Sequence, residues 1–266
     1  MLSVCATPIG NLEDVTLRVL RELAEADLVL CEDTRRTRVL LDRHGIRTRL
    51  LSYHEHNEAT RTAELLPRLA AGERMALVSD AGLPVISDPG ARLVAAAVEA
   101  GVPVTVLPGP SAVETALVAS GLAAERYQFL GYLPRGAKAL AALWDELARV
   151  PWPTVAFESP QRLPATLRSL AGVAPQRPAA VCRELTKQFE EVVRGTAEEL
   201  AARFAEPPKG EITLVLGGGE SDAADETAAL EAVAELAALG VGRRRAADVV
   251  ARLTGVSRNR LYRASL

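Results

Sequence analysis

From Leu2 to about Leu122 the chain alternates short β-rich apolar runs with amphipathic helical stretches, strand after helix after strand. Leu2–Ala6, Leu28–Cys31, Arg49–Tyr53, Met75–Ser79 and Val104–Leu107 read as strands. Leu17–Ala26, Thr37–Arg43, Glu58–Ala71, Ala91–Ala100 and Ala112–Ser120 read as the helices between them. A strand that must pass through a helix before the next strand cannot form a hairpin, so the pattern predicts crossover units and a mainly parallel sheet over 1–122. In such a sheet a ligand lies at the carboxyl ends of the strands.

The texture changes after Gly121. Gln128–Gly131, Thr154–Phe157, Ala179–Arg183, Phe189–Arg194 and Ile212–Leu216 alternate with only three helical segments, Ala137–Arg149, Leu163–Leu170 and Thr196–Phe204. Two of these apolar runs have no helix between them, which predicts a mixed sheet in a second α/β domain over 123–219. Gly217 to Asp222 reads as a linker. Beyond it, Glu226–Leu239, Arg243–Leu253 and Ser257–Arg263 predict a helical extension over 225–266, with Gly255 ending one helix and Ser257 capping the next.

With 48% apolar residues the 266-residue chain can fill full cores, which excludes disorder as its main state. No apolar run approaches the roughly eighteen residues of a membrane-spanning helix, and Leu2–Ala6 reads as a first strand rather than a signal peptide, so cytoplasm is the expected location. Cys5, Cys31 and Cys182 are too few and too scattered for a disulfide framework or a zinc knuckle. Net charge is −3, but seven arginines against one Asp between Val241 and Leu266 give a local +6. That asymmetry points to a polyanion at the C-terminus. Only Lys138, Lys187 and Lys209 are lysines, so arginine in general is weak evidence in this composition.

Polar, Gly- and Pro-rich clusters follow all five strands of the first domain. They are Thr7-Pro8-Ile9-Gly10-Asn11, Glu32-Asp33-Thr34-Arg35-Arg36, His54-Glu55-His56-Asn57, the stretch Ser79 to Gly90, and Pro108-Gly109-Pro110-Ser111-Ala112. One such cluster is an ordinary helix cap; five together predict a ligand cleft. No G-x-G-x-x-G follows a strand, there is no P-loop, and none of the five loops carries a Lys, so a dinucleotide or ordinary triphosphate site is unsupported. The loops are acidic instead, and carboxylates suit ribose hydroxyls or a positive centre. S-adenosylmethionine, a ribose with a sulfonium, meets that description.

These clusters, with Phe157-Glu158-Ser159-Pro160 and Arg183-Glu184-Leu185-Thr186-Lys187, closely resemble in order the ribosomal RNA small subunit methyltransferase I family of the tetrapyrrole methylase superfamily. The resemblance spans nearly the whole chain. It implies two α/β domains with S-adenosylmethionine in the cleft between them, 2′-O-methylation of a cytidine in 16S ribosomal RNA, and a homodimer. By motif it places Pro8, Ser79, Asp80, Ala81, Gly82, Asp88, Ser111, Ala112 and Phe157 at the cofactor. Ser79 departs from the glycine more usual in the superfamily. Arg35, His54, Asn57 and Glu158, with Arg243, Arg244 and Arg245 in the tail, are the residues expected toward RNA.

Methyl transfer to a ribose hydroxyl benefits from a general base within hydrogen-bond reach. Asp33, His54, Glu55, Glu158 and Lys187 are candidates, with Glu55 and Lys187 ranked first, Lys187 because desolvation can lower a lysine's pKa. Structural readings stand beside these: Asp80 and Asp88 as helix caps, His54-Glu55-His56 as a metal-binding pair lacking a third ligand, Lys187 and Arg243–Arg245 as solvated surface. Competing functions are methylation of a small macrocycle or a protein side chain on the same fold, and a non-catalytic nucleotide- or RNA-binding module. The basic tail speaks against a small-molecule substrate.

Overall fold

The computed structural model describes residues 1–85, 88–219, 223–254 and 256–265. Gly255 and the Glu220–Asp222 part of the expected linker lie outside the described residues. The first domain contains β1 (Leu2–Cys5), α1 (Leu17–Glu25), β2 (Leu28–Cys31), α2 (Thr34–Arg43), β3 (Leu50–Ser52), α3 (Glu58–Ala70), β4 (Met75–Val78), α4 (Ala91–Glu99), β5 (Val104–Leu107) and α5 (Ala112–Ser120). Its sheet runs β3-β2-β4-β1-β5 with every pair parallel, as crossover connections require.

Strand alternation sets its two-sided core. Leu28, Leu30, Met75 and Leu77 face Leu65, Leu69, Leu93 and Ala97 of α3 and α4. The intervening Val29, Cys31, Ala76 and Val78 face Val19, Leu23, Leu40 and Leu41 of α1 and α2. Truncating a fully buried leucine such as Leu77 to Ala would cost about 2–5 kcal/mol.

The second domain contains β6 (Gln128–Tyr132), α6 (Ala137–Leu147), β7 (Thr154–Glu158), α7 (Leu163–Val173), β8 (Pro178–Arg183), β9 (Glu191–Thr196), α8 (Ala197–Arg203) and β10 (Ile212–Leu216). The order is β6-β7-β10-β8-β9, and only β6 and β7 are parallel, so the sheet is mixed. One face packs on α6, α7 and α8 through Trp144, Leu167 and Leu200. The other face, Val155, Ala180, Cys182 and Val215, is covered by Val113, Ala116 and Leu117 of α5. Arg194 ties the same helix down by donating to the Ala119 and Ser120 carbonyls. The helix that closes the first domain's chain is thus a wall of the second, and it fixes where the two sheets meet.

Several boundaries differ from the sequence expectation, and two of them bear on the site. Helix α2 starts three residues earlier, because Asp33 caps it, its Oδ1 accepting Arg35 N–H at 2.8 Å. Strand β9 starts later, because residues 184–190 form a turn in which Thr186 N–H bonds Glu190 and Phe189 is left exposed.

Helices α9 (Ala223–Ala238), α10 (Arg243–Thr254) and α11 (Arg258–Ala264) enclose their own core around Val233, Val250 and Leu261. No helix among the described residues is long and apolar enough to cross a membrane.

Candidate functional site

The loops after β1 and β4 are stitched together by a short antiparallel bridge, Thr7 N–H to Gly82 O at 2.8 Å and Gly82 N–H to Thr7 O at 3.0 Å. Thr7 Oγ1 also donates to Ser79 O at 3.0 Å, and Ser79 Oγ to Gly82 O at 3.1 Å. Gly82 sits at φ +83°, a conformation in which a Cβ would be strained. In the same loop Val85 holds φ +79°, costly for a β-branched residue.

Above this bridge a crevice of about 600 Å³ opens between the domains. The first domain contributes Ile9, Asp80, Ala81, Gly82, Asp88 and Ala112. The second contributes Tyr132, Phe157, Glu158, Leu185 and the Gly210–Thr213 stretch. Tyr132 and Phe129 stack edge-on against Phe157, with ring centroids 5.6 and 4.9 Å away, which holds the Phe157 ring at the wall. A second cavity of about 440 Å³ adjoins the first and shares Arg36 and Asp80 with it. Its remaining walls are Glu32, Asp33, Thr34, Arg35, Ser52, His54 and His56.

Of the nine residues expected at the cofactor, Asp80, Ala81, Gly82, Asp88, Ala112 and Phe157 line the crevice. Pro8 and Ser79 are buried behind it, where Ser79's hydroxyl shapes the loop. Ser111 is the N-cap residue of α5 but spends its hydroxyl on Glu114. Asp88 does not cap α4. Gly90 occupies that position at φ +130°, and Glu58 of α3 takes over the capping by accepting from Gly90 N–H at 3.0 Å. Asp88 instead lines the crevice beside the Ser79 hydroxyl, where burial and then the Glu32 and Asp80 charges outweigh that hydrogen bond and push its pKa up to about 6.

Lys187, expected to lose its proton readily, is held the other way. Its Nζ lies 2.9 Å from Glu184 Oε1 and 3.0 Å from Glu211 Oε2. Burial alone would lower its pKa, but these bonds outweigh it and raise it, so the expected depressed pKa is overturned. The Lys187 stem covers Gly10, and Thr186 Oγ1 accepts Asn11 N–H at 3.1 Å, so this turn latches the second domain onto the first. Glu184 and Thr186 hold φ of +51° and +65° to make it.

Glu55 is exposed and lines neither cavity. Glu158 lines the crevice but is 2% exposed, its oxygens taken by Ser159 N–H and Thr166 Oγ1, each at 2.6 Å, and by the Arg162 guanidinium. Asp33 is pulled down to about 2 by its bidentate bond to Arg35. Asn57 stays outside the second cavity but orients His54 within it. Arg243, Arg244 and Arg245 are exposed on the first turn of α10. Among the described residues no group of three or more His, Cys, Asp or Glu is arranged to hold a metal ion.

The sequence placed Asp88 here but not its raised pKa, and did not single out Arg36 or Glu32. Arg36 follows Arg35 in an Arg-rich chain, so only the fold distinguishes the residue at the junction.

The family model of tetrapyrrole (corrin/porphyrin) methylases matches residues 1–201. A ribosomal RNA small subunit methyltransferase I from Mesorhizobium japonicum is 45% identical over 268 residues, 100% of this chain and 91% of the relative. One of the same name from Thermotoga maritima is 46% identical over 220 residues, 82% of this chain but 99% of its own length. Among solved structures, the uroporphyrin-III C-methyltransferase of Thermus thermophilus complexed with S-adenosylhomocysteine has a TM-score of 0.57 at 23% identity, covering 81% of this chain and 96% of that one. The whole-length identity, the matching fold and the crevice between two α/β domains lead to one conclusion: this chain is a methyltransferase belonging to the ribosomal RNA small subunit methyltransferase I family of the tetrapyrrole methylases.

Proposed function

We propose that the protein methylates the 2′-oxygen of a cytidine ribose in 16S ribosomal RNA, in the small subunit or its precursor, with S-adenosylmethionine as methyl donor. The observation that carries this reading is identity to small-subunit RNA methyltransferases along the whole chain. The crevice suits the donor. It combines apolar walls at Ile9, Val113 and Leu185 with the Asp80 and Asp88 carboxylates, and burial, ahead of the Glu32 and Asp80 charges, raises the Asp88 pKa. The bound donor supplies a methyl group on a sulfonium, and the sulfur keeps the electron pair of the broken C–S bond and leaves as a neutral thioether.

The chain's own work is to hold the acceptor and take its proton. Asp88 is the base in this reading, replacing Glu55 and Lys187. It lines the crevice, is half-buried, and has a pKa close enough to neutrality for a carboxylate to accept the hydroxyl proton. The proton goes to Asp88, the ribose oxygen bonds the methyl carbon, and the product is a 2′-O-methyl ribose. The positions of Arg36 and Asp80 at the cavity junction suit orientation of the ribose. Arg243–Arg245 supply phosphate contacts, and assembly as a cytoplasmic homodimer would extend the RNA surface.

Mass-spectrometric mapping of small-subunit RNA from cells with and without the protein tests the reading. One cytidine ribose methyl lost in its absence and restored by the purified protein is the expected result. Intact methylation in its absence would overturn it.

A further inference from the structure

We propose that the 440 Å³ groove beside the crevice is the pocket for the target base: a nucleobase bearing an exocyclic amino group, turned out of its strand, with Glu32 accepting that amino group and His56 as its stacking face. This rests on the methyltransferase reading above and assigns the recognition element within it.

Placement comes first. The groove and the crevice share the Arg36–Asp80 wall, so a nucleoside spanning them leaves its ribose at the donor and its base in the groove. The volume lies within the roughly 300–1,000 Å³ of small-ligand pockets.

The chemistry of the walls then selects the base. Asp33 is consumed by Arg35, and Asp80 by Asp33 N–H and Arg36. Glu32 is exposed in the groove, and its carboxylate finds no hydrogen-bond or ion-pair partner among the described residues. A free carboxylate accepts from the cytosine N4 amino group and repels the uracil O4 carbonyl.

His54 forms a fixed wall of the groove beside Glu32. Asn57 Oδ1 accepts His54 N–H at 2.9 Å, which turns Asn57 Nδ2 toward Ser52 O at 3.2 Å and His54 Nε2 at 3.1 Å. Nδ2 is a donor, so Nε2 accepts from it. The other ring nitrogen, Nδ1, is buried without a hydrogen-bond partner among the described residues. Cytosine's pairing edge offers an amino donor for Glu32. His56 stands edge-on to His54 at 5.9 Å, exposed, with an aromatic face of the kind unpaired RNA bases stack on. Extruding a base is least costly where it is already single-stranded.

The test uses the full-length protein and small subunits from cells lacking it. The methylated cytidine is left in place or replaced by uridine, at pH 8 so that Asp88 is ionised. Wild type, Glu32→Gln and His56→Ala are compared for donor affinity by calorimetry and for single-turnover methylation. Donor affinity is expected to stay within about twofold. Methylation of cytidine should fall about tenfold or more in both variants, and Glu32→Gln should narrow the cytidine-to-uridine ratio by a similar factor. Unchanged rates, or rates that fall with the ratio preserved, would overturn the assignment and leave the groove as a backbone contact. A wild-type protein that binds no donor or methylates neither substrate would instead sink the methyltransferase reading.

Discussion

Arg36 Nη1 lies 3.3 Å from Asp80 Oδ2, and this pair is the wall that the crevice and the groove have in common. The other Asp80 oxygen accepts Asp33 N–H at 3.2 Å, so one carboxylate ties the loop after β4 to the loop after β2. With the Arg36 side chain 66% exposed, the ion pair itself contributes about 0–1 kcal/mol to stability. Arg36→Ala should therefore move the thermal midpoint by no more than about 2–4 °C. Its kcat/KM on RNA should nonetheless fall about tenfold or more, equivalent to about 1.4 kcal/mol of lost transition-state positioning. Thermal melts beside steady-state methylation separate the two effects; parallel losses would make the pair structural only.

Asp88 carries a folded-state pKa of about 6 against an ordinary 3.8. A carboxyl whose pKa folding raises favours the native state most when protonated. That contribution is complete below about pH 4 and is lost as pH rises through about 6. Asp88→Asn, a permanent mimic of the neutral form, should raise the thermal midpoint at pH 7.5 and leave it unchanged at pH 4. Methylation by the same variant should fall by about 10²–10⁴. Wild-type single-turnover rates should drop below about pH 6, and Glu32→Gln, which removes one of the charges that raises Asp88, should move that limb downward. A rate independent of pH between 5 and 8 would exclude Asp88 as the base.

Gly10 leaves no room for a side chain. A Cβ there would overlap the Lys187 stem and come within 2.8 Å of Thr186 Oγ1 and 3.0 Å of Leu185 O. Gly10→Ala should cost about 1–3 kcal/mol in chemical denaturation and weaken donor binding, because the latch carries Leu185 into the crevice. Lys187→Met should loosen the same latch yet leave the shape of the pH–rate profile intact, as expected of a residue whose proton is held by two carboxylates.

The first domain was legible from the sequence because each strand there feeds a helix, and the all-parallel pairing follows from that alternation. The five decorated strand ends announced a site for the same reason. What the sequence hid depends on contacts distant along the chain. Asp88-Pro89 has the local form of a helix cap, and only Glu58, 32 residues from Gly90, shows that the capping is done elsewhere. Lys187 reads as a base until Glu211 is brought beside it by the pairing of β8 with β10. Helix α5 belongs to the first domain's rhythm, yet its apolar faces pack on the second sheet, a partner that local periodicity cannot name.

Arg243, Arg244 and Arg245 occupy the first turn of α10, with no acidic residue there to balance them. Cations at a helix N-terminus oppose its dipole and cost about 0.3–1 kcal/mol each at low salt, so stability gives no reason for them. Phosphates do. The Thermotoga relative aligns over 99% of its length to 82% of this chain. Replacing all three arginines with Ala should therefore leave the melting midpoint unchanged or raised, and leave the rate at saturating RNA unchanged. RNA affinity should weaken, and the slope of log affinity against log salt should flatten by about 2–3, at about 0.7–0.9 for each phosphate no longer neutralised. Binding isotherms from about 50 to 300 mM salt measure it. An identical slope in the triple variant would mean that these guanidiniums touch no phosphate, and the RNA grip would then have to lie on the two α/β domains.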